Sequence, residues 1–197
     1  MAQAEPRPRR KRGYEKLLRT ARRLFYQRGF HAVGISEIIA EAGVARMTLY
    51  NNAASKDILI EAVIEGVSID VMAWLERGGA SIAEPTLPPA QRLLALFDLF
   101  EAWFGEPEFQ GCIFAKAAAE FPAHDHPVHR AAARHKRRLF EFLQDITTEA
   151  GARQPAMLAE HMLLLLEGAT ALAQQTGALI AARRARRAAE QLLAAGL

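Results

Sequence analysis

Residues 35–57 read ISEIIAEAGVARMTLYNNAASKD. Ile38, Ile39 and Ala42 fall at helical spacing, then Gly43 interrupts, and a second short segment follows that is rich in polar and aromatic side chains. A helix built only to fill a core would not be broken in this way. Two helices joined through Ala42, Gly43 and Val44 make a helix-turn-helix, in which the glycine takes the tight turn and Val44 fills the space between the helices. Ser36 is the expected cap of the first helix, with Glu37 in its first turn. The second helix is predicted over residues 45–51, with Leu49 as its buried residue. Arg46, Met47, Thr48, Tyr50 and Asn51 are then left facing outward, a surface that suits the major groove of DNA.

Working outward, Leu17, Leu18, Ala21, Leu24 and Phe25 recur at helical spacing, and Gly29 ends that helix as a left-handed cap. Ser55 is the predicted N-cap of a long fourth helix through Ile58, Leu59, Ala62, Val63, Val67 and Val71 to about residue 77. GGASIAEPTLPP, residues 78–89, reads as a loop. Helices are predicted over about 90–104, 109–121, 127–150, 155–176 and 179–195, with Pro127 and Pro155 in first-turn positions. No strand pattern competes and no internal repeat is visible, so the expected fold is all-α. The predicted organisation is a disordered basic arm (1–13, MAQAEPRPRRKRG), a helix-turn-helix domain (14–60) and a second helical domain (61–197), joined by one continuous helix.

Composition sets the outer bounds. The 197 residues are 51% hydrophobic and 24% charged, which fits one or two globular domains with a substantial core and excludes a disordered or fibrous chain. One cysteine rules out an intramolecular disulfide and agrees with a reducing cytoplasm. Charged residues follow Met1, and Glu167 and Arg183 break the longest apolar stretches, so neither an export signal nor a membrane span is expected. The net charge of +3 is unevenly placed: residues 1–60 hold twelve Lys and Arg against five Asp and Glu, while the remainder is acidic. The positive end should be drawn to a polyanion.

The chemistry of the outward face assigns roles. Thr48 and Tyr50 hydroxyls suit phosphate oxygens, as do Lys56 and the Ser36 helix start, while Arg46 and Asn51 suit base edges and Met47 a thymine methyl. LLRTARRLFYQRGF, then ISEIIAEAGVARMTLY, then SKDILIEAV stand in an order and spacing that resemble the DNA-binding domain of the TetR (tetracycline repressor) family over residues 14–63. The resemblance implies a homodimeric, ligand-responsive regulator, a repressor, that binds a palindromic operator and has no catalytic activity and no cofactor. One departure stands out. Members usually carry a bulky aromatic where this chain has Ala53, a large-to-small change worth roughly 3–5 kcal/mol when uncompensated, so Ala53→Phe is expected to raise thermal stability.

Beyond residue 64 the resemblance lies only in helicity and length. It implies a dimer interface formed by the last two helices, for which Met157, Met162, Leu165, Gly168 and Leu172 are candidates. It also implies an effector pocket for a small, largely apolar molecule, with Phe100, Trp103, Phe114, Phe140 and His161 as candidates. Other clusters give alternatives. HDHPVHR, with His124, Asp125, His126 and His129, would serve a metal-binding enzyme, although no accepted ligand spacing is met and Asp125 or His126 capping the next helix is the simpler reading. Cys112 would serve a redox sensor, though a small core residue is the plainer role. No nucleophile and base pair or phosphate loop supports an enzyme, so no catalytic or metal-ligating residue is assigned. The basic clusters Arg183–Arg187 and Arg134–Arg138 read as solvated helix faces.

Overall fold

The computed structural model describes residues 8–81, 87–177 and 180–196, and for residues 8–11 and 78–81 the backbone alone. Among the described residues every regular element is an α-helix: α1 (Pro8–Arg28), α2 (Ile35–Ala42), α3 (Arg46–Tyr50), α4 (Lys56–Ser81), α5 (Pro89–Phe104), α6 (Ile113–Glu120), α7 (Pro127–Glu149), α8 (Pro155–Thr176) and α9 (Ile180–Gly196). The all-α expectation holds, with four local differences.

Helix α1 begins at Pro8, so residues 8–13 of the expected arm are helical, and residues 1–7 lie outside the described residues. Proline fits a first-turn position, and the Arg and Lys that follow are good helix formers. Helix α4 runs on through the glycines of the expected loop to Ser81. Helix α6 starts at Ile113 rather than near 109, because Gly111 adopts φ 80°, a left-handed conformation that no helix interior accepts. Ser36 does not cap α2: the N-cap is Gly34, with no side-chain bond, and Ser36 sits one residue inside the helix.

The chain divides into two compact units, one of residues 1–67 and 113–133, the other of 68–112 and 134–197. This differs from the boundary expected near residue 60, because α6 and the start of α7 pack with the helix-turn-helix. In the first unit Leu17, Phe25, Phe30, Ile38, Leu49, Leu59 and Ile60 are fully buried. The Phe30 ring lies 5.2 Å from Phe25 and 6.0 Å from Phe121, at the end of α6. In the second unit α5, α8 and α9 surround a core of Leu93, Phe97, Leu143, Met162, Leu166 and Ala182.

Against the expectation of no membrane span, α8 is, by length and composition, long and apolar enough to cross a membrane. One stripe of it (Leu158, Met162, Leu166, Ala169, Ala173) is buried in the second unit, while Met157, Leu164 and Leu172 are exposed.

Candidate nucleic-acid interface

The turn between α2 and α3 is built as its sequence requires. Gly43 takes φ 59°, its N–H bonds Ala40 O at 3.1 Å, and the Val44 N–H bonds Ile39 O at 3.3 Å, a double closure that satisfies the last carbonyls of α2. Leu49 is the one buried residue of α3. Asn52 Nδ2 donates to Thr48 O at 2.7 Å and closes the C-terminus of the short helix. Ser55 Oγ accepts from the Ile58 N–H at 3.2 Å, which makes it the N-cap of α4.

The expected contact residues fall on this frame as follows. Met47 is 62% exposed and Tyr50 47%, both unusually open for large apolar side chains, and Arg46 and Asn51 are exposed beside them. The Arg46 guanidinium donates to Ser36 Oγ at 3.1 Å, which brings the two together across the turn. Thr48 is half-buried against α1, where a β-carbon on Gly13 would meet its methyl at 3.2 Å. Lys56 is half-buried, with Nζ 3.5 Å from the His31 carbonyl rather than extended into solvent. Burial raises the phenol of Tyr14, nearly two turns into α1, above its ordinary value, so it stays neutral.

Ala53 is 1% exposed and its N–H bonds Leu49 O at 2.7 Å, so the chain has closed over the small side chain. The neighbours already cover this site, so we expect a ring there to overpack it, the opposite of the expectation drawn from the sequence.

Two further residues, not singled out from sequence, brace the helix-turn-helix. Glu120, at the end of α6, accepts the N–H of Phe30 at 2.9 Å and that of His31 at 2.7 Å in the turn after α1. Lys116, one helical turn earlier, donates to Tyr26 O at 2.8 Å, among the last carbonyls of α1. A cation and an anion four residues apart thus satisfy orphan groups of opposite polarity on one neighbouring turn. Ninety residues separate the partners, so no local pattern announces them.

In the second unit the candidates divide. Met162 is 1% exposed and belongs to the core, which removes it from any interface, whereas Met157, Gly168 and Leu172 are exposed and Leu165 is half-buried. Leu164, at 68% the most open large apolar residue among the described residues, was not a candidate. It lines a groove of about 380 Å³ between α8 and α9 with Leu165, Gly168, Leu172, Ile180 and Arg184. Of the effector candidates, Phe100, Trp103, Phe140 and His161 lie in this unit, and buried Phe114 lies in the other. Phe100, Trp103, Phe104 and Phe109 form an edge-to-face cluster with centroids 4.9–6.0 Å apart.

Three polar features complete the picture. Arg138 donates to Ser68 Oγ at 3.0 Å, so the Ser68 hydroxyl points to His135 Nδ1, also 3.0 Å away. Burial, then the charges of Lys136 and Arg138, lowers the His135 pKa to about 3. Cys112 is half-buried with Sγ 3.4 Å from Lys136 Nζ. His126, at the start of α7, accepts the Val128 N–H at 3.3 Å as a cap, as expected.

Comparison with known proteins agrees with this geometry. Residues 17–63 match the family model described as bacterial regulatory proteins, tetR family, and residues 89–189 match a tetracyclin repressor-like C-terminal domain. The HTH-type transcriptional regulator YjdC of Escherichia coli is 26% identical over 113 residues, 57% of this chain and 58% of that protein. The HTH-type transcriptional repressor KstR2 of Mycobacterium tuberculosis is 30% identical over 82 residues, 42% of this chain and 39% of that one. The chain thus spans less than two thirds of the length of either relative. Among solved structures, SCO4454, a TetR-family transcriptional regulator from Streptomyces coelicolor, superposes with a TM-score of 0.85 at 27% identity over 94% of this chain and 96% of its own. A tetR transcriptional regulator from Streptomyces avermitilis gives 0.81 at 28% identity over 93% and 97%. The chain belongs to the TetR family of bacterial transcriptional regulators.

Proposed function

We propose that the protein is a cytoplasmic, ligand-responsive repressor that binds a palindromic operator as a homodimer and carries out no catalysis. The observation that carries this reading is the face of α3. Met47, Tyr50, Arg46 and Asn51 stand open to solvent on a turn held rigid from both sides, where a purely structural helix would cover them. Arg46 and Asn51 read base edges, Met47 a thymine methyl, and Ser36, Thr48, Tyr50 and Lys56 take phosphate oxygens. Lys56 leaves the His31 carbonyl to do so. Helices α8 and α9 supply the dimer contact through Leu164, Leu172 and Ile180 around the groove, since an open apolar strip of this kind is poorly suited to water.

A small, largely apolar effector occupies the second unit near Phe100, Trp103, Phe140 and His161, shifts α4 and weakens operator binding. Selection from a random DNA pool by the purified protein at near-physiological salt tests the reading. Enrichment of a two-fold symmetric site supports it; recovery of unrelated sequences with no common element counts against it.

A further inference from the structure

Two of the six histidines, His124 in the turn after α6 and His129 in the first turn of α7, face each other. His124 Nδ1 and His129 Nε2 are 3.0 Å apart, with the ring planes at 88°. His129 places its other nitrogen, Nδ1, 2.8 Å from the carbonyl oxygen of Phe121. A carbonyl only accepts, so Nδ1 of His129 carries the proton, and in the neutral ring the lone pair sits on Nε2, aimed at His124. Imidazoles that ligate metals are set in this way, the far nitrogen donating to a backbone carbonyl that fixes both tautomer and ring orientation. His126 stands apart, because its Nδ1 caps α7 and its Nε2 faces Asp57 at 3.5 Å.

We propose that His124 Nδ1 and His129 Nε2 together bind one divalent transition-metal ion of the kind imidazole favours: zinc, nickel or copper(II). Two nitrogens each about 2.0–2.1 Å from a tetrahedral ion stand roughly 3.3 Å apart, so to receive it the pair opens by a few tenths of an ångström and the rings turn until both lone pairs converge on the ion beside the N···N line. In the metal-free protein His124 Nδ1–H donates to His129 Nε2. On binding, that proton passes through solvent to His124 Nε2, and the two lone pairs become ligands. His124 is exposed, so the ion enters directly from water. Among the described residues no three His, Cys, Asp or Glu converge on one point, so water fills the remaining positions. The bound ion would clasp the turn after α6 to the first turn of α7, within the unit that carries α3.

The test is independent of DNA binding. EDTA-treated protein is titrated with zinc sulfate at pH 7.5 against a chromophoric chelator, as the unmodified chain, His124→Ala, His129→Gln and His126→Ala. The proposal expects one zinc per chain for the unmodified protein and for His126→Ala. It expects at least about tenfold weaker binding for His124→Ala, with helicity unchanged because that side chain is exposed, and the same loss for His129→Gln. It is overturned if the unmodified protein takes up no zinc, if His124→Ala binds as tightly as the unmodified chain, or if His126→Ala loses as much as His124→Ala.

Discussion

Replacing Glu120 by alanine should loosen the DNA-reading unit without touching its contact face. The carboxylate is the acceptor for two backbone donors, the Phe30 N–H in a partly buried setting and the His31 N–H nearer solvent. A hydrogen bond to a charged group contributes about 1.5–3 kcal/mol when its partner is left dry. The His31 amide regains water and so contributes little, and the expected loss is about 2–3 kcal/mol for the pair. Glu120→Gln keeps one acceptor oxygen and should lose about half of that. Amide hydrogen exchange reads the effect at its source: at 2 kcal/mol the Phe30 amide exchanges about 30-fold faster, while amides in the core of the second unit keep their protection. Unchanged exchange at Phe30 and His31 in Glu120→Ala would refute the bracing role, as would an equal loss of protection throughout the chain.

Three other outcomes follow from the same contacts. Ala53→Phe should lower the melting temperature, since forcing extra volume into a closed site costs about 1–3 kcal/mol; a rise would show slack that the burial of Ala53 conceals. His135 has a folded pKa of about 3, below its ordinary 6.5, so the unfolded chain binds a proton that the folded one refuses between those values, and stability falls as pH drops through that window. About 2 kcal/mol should be lost between pH 7 and pH 5, and urea unfolding of His135→Asn should show a flatter pH dependence across that range. Leu164→Glu leaves the fold intact but should weaken self-association by about 30-fold or more, as sedimentation velocity would detect.

The helix-turn-helix was legible because its signals are local. Gly43 falls where a left-handed residue closes α2, Ser55 where a hydroxyl caps α4, and Leu49 alone anchors α3. Ser36 misled because a glycine two residues earlier ended the turn first, leaving the serine inside the helix and available to Arg46. Non-local packing was hidden. Nothing in the periodicity of residues 109–121 tells that Gly111 must approach Gln174, where a β-carbon would stand 2.1 Å from Oε1, or that Glu120 and Lys116 serve a turn ninety residues away. The run MLLLL of α8 is apolar on every side, so spacing alone did not separate buried Met162 and Leu166 from exposed Leu164; the position of the neighbouring helices decides that.

The central claim, that α3 reads DNA, is tested most directly by binding isotherms at one fixed salt concentration. The unmodified protein, Arg46→Ala and Tyr50→Ala are compared on the selected palindrome and on a version with one half scrambled. The account predicts that the unmodified protein prefers the intact site by at least about 10³-fold. Arg46→Ala should lose about 1–3 kcal/mol on that site and little on the scrambled one, whereas Tyr50→Ala, a phosphate contact, should weaken both alike. Equal binding of both DNAs by the unmodified protein, or isotherms that neither substitution moves, would contradict it.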